Sequence, residues 1–210
     1  MRQRRVWIAR HASRLDFADP AWARSAPRSH DPPLSAAGQR EARAIASRLA
    51  GEPIRHLFSS PFLRCIETAA PIAERLGLRI LVENGLSEWL NSEWFPRRPE
   101  LLSLEGLAQC VPAIDLAYHS LGAARHGESG EEALARSGAV ARRLVREFTG
   151  DLVLVGHGAS VLGATAGLLG REGEALPLEL PYACLFCLVE KGGGFRLEQC
   201  ASTSHLKALP

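Results

Sequence analysis

Short apolar runs alternate along the chain with longer segments whose apolar residues recur every three or four positions. The runs Arg5–Ala9, His56–Phe58, Arg79–Glu83, Leu152–Gly156, Ala183–Glu190 and Phe195–Cys200 read as strands. Ser35 reads as a helix N-cap, followed at helical spacing by Ala42, Ile45, Ala46 and Leu49. Ser60-Pro61 reads as an N-cap with a proline in the first turn. Behind it Ile66, Ala69, Ala70, Ala73 and Leu76 share one face, and Pro71 predicts a kink. Ser129 and Glu132 form a capping box, and the helix they open is expected to bury Leu134, Ala141, Val145 and Phe148. Ala159–Leu169 is apolar nearly all round and stops at Gly170, as a buried helix does.

Strands alternating with helices predict an α/β fold with three layers, α/β/α, around a mostly parallel sheet. The last two strands, joined through Lys191-Gly192-Gly193-Gly194, predict a terminal hairpin. Residues from about 91 to 128 fit no clean period and hold Pro96, Pro99, Pro112 and several aromatics. They read as an insertion over the active face, because long irregular segments in compact domains are often functional. Leu152–Gly170 carries no Asp, Glu, Lys or Arg and is long enough to span a bilayer. Its five glycines and His157 fit a strand, a tight turn and a buried helix better.

The length of 210 residues fits one domain at roughly 150 residues per domain. Apolar residues at 46% and charged residues at 23% describe a globular chain. Lys+Arg 25 against Asp+Glu 23 leaves +2, which gives no electrostatic case for nucleic acid or an anionic membrane. Five cysteines, at 65, 110, 184, 187 and 200, do not form a disulfide framework, and a reducing, cytoplasmic setting is expected. The apolar run in Met1–Arg10 is only Val6-Trp7-Ile8-Ala9, too short for a signal sequence. Cys184 and Cys187 lie three apart on a strand, so their thiols face opposite sides and read as packing rather than as a metal site.

Candidate chemistry collects at strand ends, where open α/β sheets bind ligands. One apolar strand runs into Arg10-His11 and another into Gly156-His157-Gly158. A third hands over to a helix at Ser59-Ser60-Pro61, with Arg64 one turn in. Two imidazoles and at least two guanidiniums, with no acidic metal-ligand cluster beside them, point to an anion site and to phosphate. A neutral imidazole can attack phosphorus while cations hold the equatorial oxygens, with no metal and no other cofactor required. Arg-His occurs three times, at 10–11, 55–56 and 125–126. Arg125 follows Leu121-Gly122-Ala123-Ala124, which is no strand, so His11 is favoured over His126.

These residues resemble the histidine phosphatase superfamily, the phosphoglycerate mutase-like fold. The likeness runs through Arg10-His11-Ala12, Pro33–Gln39, Ser59-Ser60-Pro61 with Arg64, Glu88, the Ser129–Glu132 helix start and Val155-Gly156-His157. It is narrowest toward the phosphatase domain of the suppressor of T-cell receptor signalling and ecdysteroid-phosphate phosphatase group. That likeness is carried by Arg14 with Asp16, Leu63-Arg64-Cys65, Glu88-Trp89, Pro99-Glu100-Leu101, Asp115 before Tyr118, and Leu180-Pro181-Tyr182. The resemblance implies that His11 is the nucleophile and that Arg10, Arg64 and His157 hold the phosphoryl group, with Arg14 as a further contact. It implies Glu88 as proton donor and then base, and a homodimer. Trp89, Trp94 and Tyr118 are expected to line the leaving-group pocket. Phosphotyrosine-like or steroid phosphate esters, from a small molecule or a phosphoprotein, are the implied substrates. Two other readings stay open. Arg97 and Arg98 leave room for a phosphoglycerate-type mutase or sugar-phosphate phosphatase. Ala12, where the family motif has Gly, leaves room for a weak enzyme or phospholigand-binding scaffold if the backbone there needs positive φ.

Overall fold

Alternation along each central strand sorts side chains onto two faces, and the helices close over both. A computed structural model of the chain describes residues 2–171 and 180–207. In chain order the elements are β1 (Arg5–Arg10), α1 (Leu15–Ala18), α2 (Trp22–Ser25), α3 (Ala36–Leu49), β2 (Ile54–Ser59), α4 (Leu63–Leu76) and β3 (Ile80–Val82). There follow α5 (Leu104–Cys110), α6 (Gly130–Glu147), β4 (Asp151–Gly156), α7 (Gly158–Leu169), β5 (Leu185–Lys191) and β6 (Gly194–Ser202). The six strands lie in the order β3-β2-β4-β1-β5-β6. The first four run parallel, while β5 and β6 are antiparallel to their neighbours. Val6, Ile8, Leu152 and Leu154 pack with Ala141, Leu144, Val161 and Ala164 of α6 and α7. Trp7, Ala9, Val153 and Val155 pack with Ala42, Ile45, Ile66 and Ala69 of α3 and α4. This is the expected three-layer α/β/α arrangement.

Local signals behave as the chemistry of caps and turns requires. The Ser35 hydroxyl accepts from the Gly38 amide, and Ser129 with Glu132 makes both bonds of a capping box. Gly170, at φ 66°, ends α7. Gly192 and Gly193 take positive φ in the turn between β5 and β6, where residues with a Cβ would be strained. Cys184 packs on one side of the sheet and Cys187 on the other. No helix among the described residues is long and apolar enough to cross a membrane.

Three expectations are corrected. The first turn of α4 is not capped by Ser60. The helix begins at Leu63, whose amide donates across the chain to the Asp31 carboxylate at 2.8 Å, while the Ser60 hydroxyl is taken by His157. Leu134 is exposed on α6 rather than buried, and Val145 and Phe148 are only half-buried. Of the 91–128 stretch, Trp94 and Phe95 line the large cleft, whereas Leu107 and Ile114 join the core beside β3, where Ile114 bridges Ile80.

Candidate active site

Strand register brings the two histidines together. In the parallel β1–β4 pair Arg10 lies opposite Gly156, so the next residues, His11 and His157, leave the sheet side by side. Their ring centroids are 5.2 Å apart. On the other flank of β4, Ser59 pairs with Val155, which sets Ser60 at the same level. The Ser60 hydroxyl lies 2.7 Å from His157 Nε2. The first turn of α4 then carries Arg64 inward, where its Nη2 stands 3.2 Å from His157 Nδ1 and 3.3 Å from a Glu88 oxygen. That Glu88 oxygen is also 3.3 Å from His157 Nδ1. His11, Arg64 and His157 are each at most 1% exposed.

Burial of a guanidinium is costly unless its donors are matched. Arg64 Nε and Nη1, and Arg10 Nε, are buried without a protein partner. Several unmatched cationic donors beside two imidazoles make a recess suited to an oxyanion. Arg10 otherwise donates to the Leu180 carbonyl and stacks on Tyr182, its guanidinium carbon 4.2 Å from the ring centre. Arg14 lines the cleft, but its charge is engaged by Asp16 through a two-pronged ion pair.

Protonation follows from the same crowding. Burial, reinforced by Arg64 and His157, holds the His11 pKa well below its ordinary value, so the ring is neutral at pH 7. Its Nδ1 lies 2.8 Å from the Ala12 carbonyl. A carbonyl only accepts, so Nδ1 carries the proton and Nε2 keeps its lone pair. Burial, with Arg64, also lowers the His157 pKa, to about 4, against the opposing pull of Glu88. Burial alone would raise the Glu88 pKa, but His157 and Arg64 outweigh it and hold the carboxyl well below its usual range. The ligand-free site therefore contains an ionised Glu88. With Nδ1–H of His157 directed at that carboxylate, Nε2 accepts from the Ser60 hydroxyl.

His11, Glu88 and His157 each bring one potential metal-ligand atom to within 4.8 Å of the others. The one carboxylate of this group, Glu88, stands beside the imidazoles where the family resemblance implied a proton donor. Arg64 reaches into the same space, and its positive charge opposes a divalent cation there.

Glu88 also lines a cleft of about 620 Å³. Arg10 and Arg14 lie along it, with Trp89, Trp94, Phe95, Phe17 and Tyr182 as its aromatic walls. Glu88 is therefore the point where the open cleft meets the buried cluster. Trp89 and Trp94 pack edge to face at 5.1 Å. Tyr118 is elsewhere: its ring packs on Phe58 and Phe148, and its hydroxyl donates to the buried Glu83 carboxylate at 2.7 Å. The expectation that Tyr118 lines the pocket is corrected, because Glu83 draws the phenol inward. His126 points away to the Phe95 carbonyl at 2.8 Å. Arg97 and Arg98 do not line the cleft; Arg98 borders a separate small one with Pro61 and Phe62.

Sequence reasoning passed over several neighbours of the site. Ser60 carried a helix-cap signal that concealed its bond to His157. Tyr182, in the Leu180-Pro181-Tyr182 run, lies 5.5 Å from the His11 ring and packs with Phe17 at 6.5 Å. Asp31 carried no signal at all, since its bond to Leu63 exists only in three dimensions.

Comparison with known proteins identifies the family and the fold. Residues 6–203 match the model of the histidine phosphatase superfamily, branch 1. The human ubiquitin-associated and SH3 domain-containing protein A is 36% identical over 153 residues, covering 67% of this chain and 23% of that protein. The ecdysteroid-phosphate phosphatase of Drosophila melanogaster is 26% identical over 252 residues, covering 98% of this chain and 33% of that protein. The chain therefore spans a third or less of the length of these two relatives. The crystal structure of the ecdysone phosphate phosphatase of Bombyx mori, in complex with tungstate, superposes with a TM-score of 0.77 at 22% identity, covering 94% of this chain and 93% of that one. With the family match spanning nearly every described element, and the mixed six-stranded sheet ordered as above, the chain belongs to the histidine phosphatase superfamily, branch 1.

Proposed function

We propose that the chain is a phosphomonoesterase that works through a phosphohistidine on His11, without a metal, on esters with an aryl or hydrophobic leaving group. The observation that carries this reading is the buried Arg64, with two unmatched donors, beside a neutral His11 whose Nε2 is left as a lone-pair donor. In the first step Nε2 attacks phosphorus in line; the P–N bond forms as the bond to the leaving oxygen breaks. Arg64, Arg10 and Nδ1–H of His157 hold the phosphoryl oxygens, and Arg14 stands at the mouth. Charge spread over those oxygens in the transition state is what the fixed cations stabilise.

A phosphoryl oxygen entering the recess takes over Arg64 Nη2 and His157 Nδ1 from Glu88. The carboxylate, stripped of its cationic partners and facing a new anion, binds a proton. It gives that proton to the leaving oxygen. In the second step it takes a proton from water, whose oxygen attacks phosphorus; the P–N bond breaks and its electron pair returns to Nε2. General acid–base help of this kind is worth about 10²–10⁴-fold.

The aromatic walls of the cleft support an aryl or steroid-like leaving group, as does the likeness to the ecdysteroid-phosphate phosphatase of Drosophila melanogaster. A mutase needs basic side chains facing the leaving group, and neither Arg97 nor Arg98 lines the cleft. The test is hydrolysis of an aryl phosphate in EDTA. Wild-type and His126→Ala protein are expected to turn over and to form an acid-labile phosphoenzyme, and His11→Ala to do neither. Activity that survives in His11→Ala, or that vanishes in EDTA, overturns the proposal.

A further inference from the structure

The segment that delivers Glu88 to the site is a single 3-10 turn, Asn84–Leu86, followed by irregular backbone, so side chains from outside it hold its direction. The buried Glu83 carboxylate fixes its start, accepting from the Gly85 amide at 2.8 Å. The other end is held from α6. Arg136 is 9% exposed and Glu128 3% exposed by side chain. The Arg136 guanidinium grips the Glu128 carboxylate through Nε at 3.0 Å and Nη2 at 2.5 Å. Its remaining donors go to backbone carbonyls of the Glu88 segment: Gly85 at 2.7 Å, Ser87 at 3.3 Å and Glu88 itself at 3.2 Å. Glu128 in turn meets the residues just beyond, with its carbonyl accepting from the Trp89 indole at 2.8 Å and its carboxylate facing the Leu90 amide at 3.5 Å.

We propose that Arg136, locked by Glu128, is the positioning residue that aims the Glu88 carboxylate at the leaving oxygen and sets the Trp89 wall of the cleft. The proposal rests on Glu88 acting as the proton donor described above. The guanidinium is planar and spends its donors on one carboxylate and three carbonyls, so it fixes the direction of the peptide planes as well as their distance. Lysine offers a point charge without that fork. A displacement of about 1 Å in a catalytic group costs on the order of 10²-fold. Neither Arg136 nor Glu128 touches the phosphoryl recess, so attack by His11 is left intact when either is changed.

This separation gives a readout that a purely structural role does not move. A p-nitrophenolate departs without a proton, whereas an alkoxide needs one. The experiment measures the single-turnover rate of His11 phosphorylation by saturating p-nitrophenyl phosphate and by a saturating hydrophobic alkyl phosphate in the same sample. This first-order rate excludes the dephosphorylation step that both esters share, and the ratio is independent of how much protein is folded. Glu88→Gln is the benchmark, with the ratio rising about 100-fold. Arg136→Lys and Glu128→Gln are both expected to raise the ratio at least tenfold and to raise KM for the aryl ester through Trp89. Equal losses on both substrates in these two variants, with Glu88→Gln still selective, overturn the positioning role alone. A benchmark with no selectivity, in a protein still dependent on His11, overturns the role of Glu88 and this proposal together.

Discussion

The methyl group of Ala12 is fully buried against the α3–α4 core, and its amide donates to the Thr68 hydroxyl at 3.1 Å. Among the described non-glycine residues only Ala183 and Ala201 have positive φ, so position 12 does not need the left-handed freedom of glycine. Ala12→Gly is expected to leave the hydrolysis rate unchanged and to lower stability by about 1 kcal/mol, through the freer unfolded chain. Gly38 is the glycine that the loop after His11 requires, because a Cβ there would stand 2.1 Å from the Ser13 carbonyl oxygen. Gly38→Ala is therefore expected to cost about 1–3 kcal/mol in urea unfolding and to impair turnover by shifting that loop. Proton uptake by Glu88 has its own signature at this scale. Tungstate, a fully ionised oxyanion, should draw about one proton from the buffer on binding to wild-type protein, since the carboxyl is held well below its usual range beforehand. Calorimetry in two buffers of different ionisation enthalpy checks this, and Glu88→Gln should take up none.

Among the elements, α6 and α7 meet through glycine. A Cβ on Gly167 would lie 2.4 Å from Gly138 Cα, and one on Gly163 would lie 2.4 Å from the Leu134 carbonyl oxygen. The uncharged glycine-rich stretch that reads as long enough for a membrane is thus explained by close helix packing behind the site. Gly167→Ala forces the helices apart and should cost about 1–3 kcal/mol in thermal or urea unfolding, while the exposed Leu134→Ser should cost little. Because α7 begins at Gly158, directly after His157, an enforced shift of α7 should also reduce activity. The capping boxes, hairpin glycines and strand runs were legible from local pattern, since each is a short-range preference. The cap of α4 was not, because Asp31 reaches Leu63 across more than thirty residues and frees Ser60 for His157.

At the scale of the whole molecule, two buried neutral histidines couple folding to pH. Both pKa values are lowered in the folded state, His157 to about 4, whereas an unfolded histidine titrates near 6.5. Between those limits the unfolded chain binds protons that the folded site refuses. Stability is therefore complete above about pH 6.5 and falls as the pH drops toward 4, by up to about 1.4 kcal/mol per pH unit for each histidine. Ionised Glu88 adds a further loss below its ordinary range. Urea unfolding at pH 7 and pH 5 is expected to show this, and His157→Asn should flatten the slope.

The fold class, the six strands, the starts of α3, α6 and α7, and the His11, His157 and Arg64 triad were determined by the amino-acid sequence alone. Those features rest on periodicity, caps and the rule that ligands sit at strand ends, all of which act over a few residues or follow from strand order. Glu88 was legible only through family likeness, because one carboxylate in an irregular segment has no local mark. Tertiary structure decided which aromatics face the cleft, why Tyr118 turns inward to Glu83, and how Arg136 and Glu128 hold the Glu88 segment from a distant helix. Those are pairings of charged and polar groups buried far from each other in sequence. Their partners are chosen by desolvation, which exists only once the chain has closed around them.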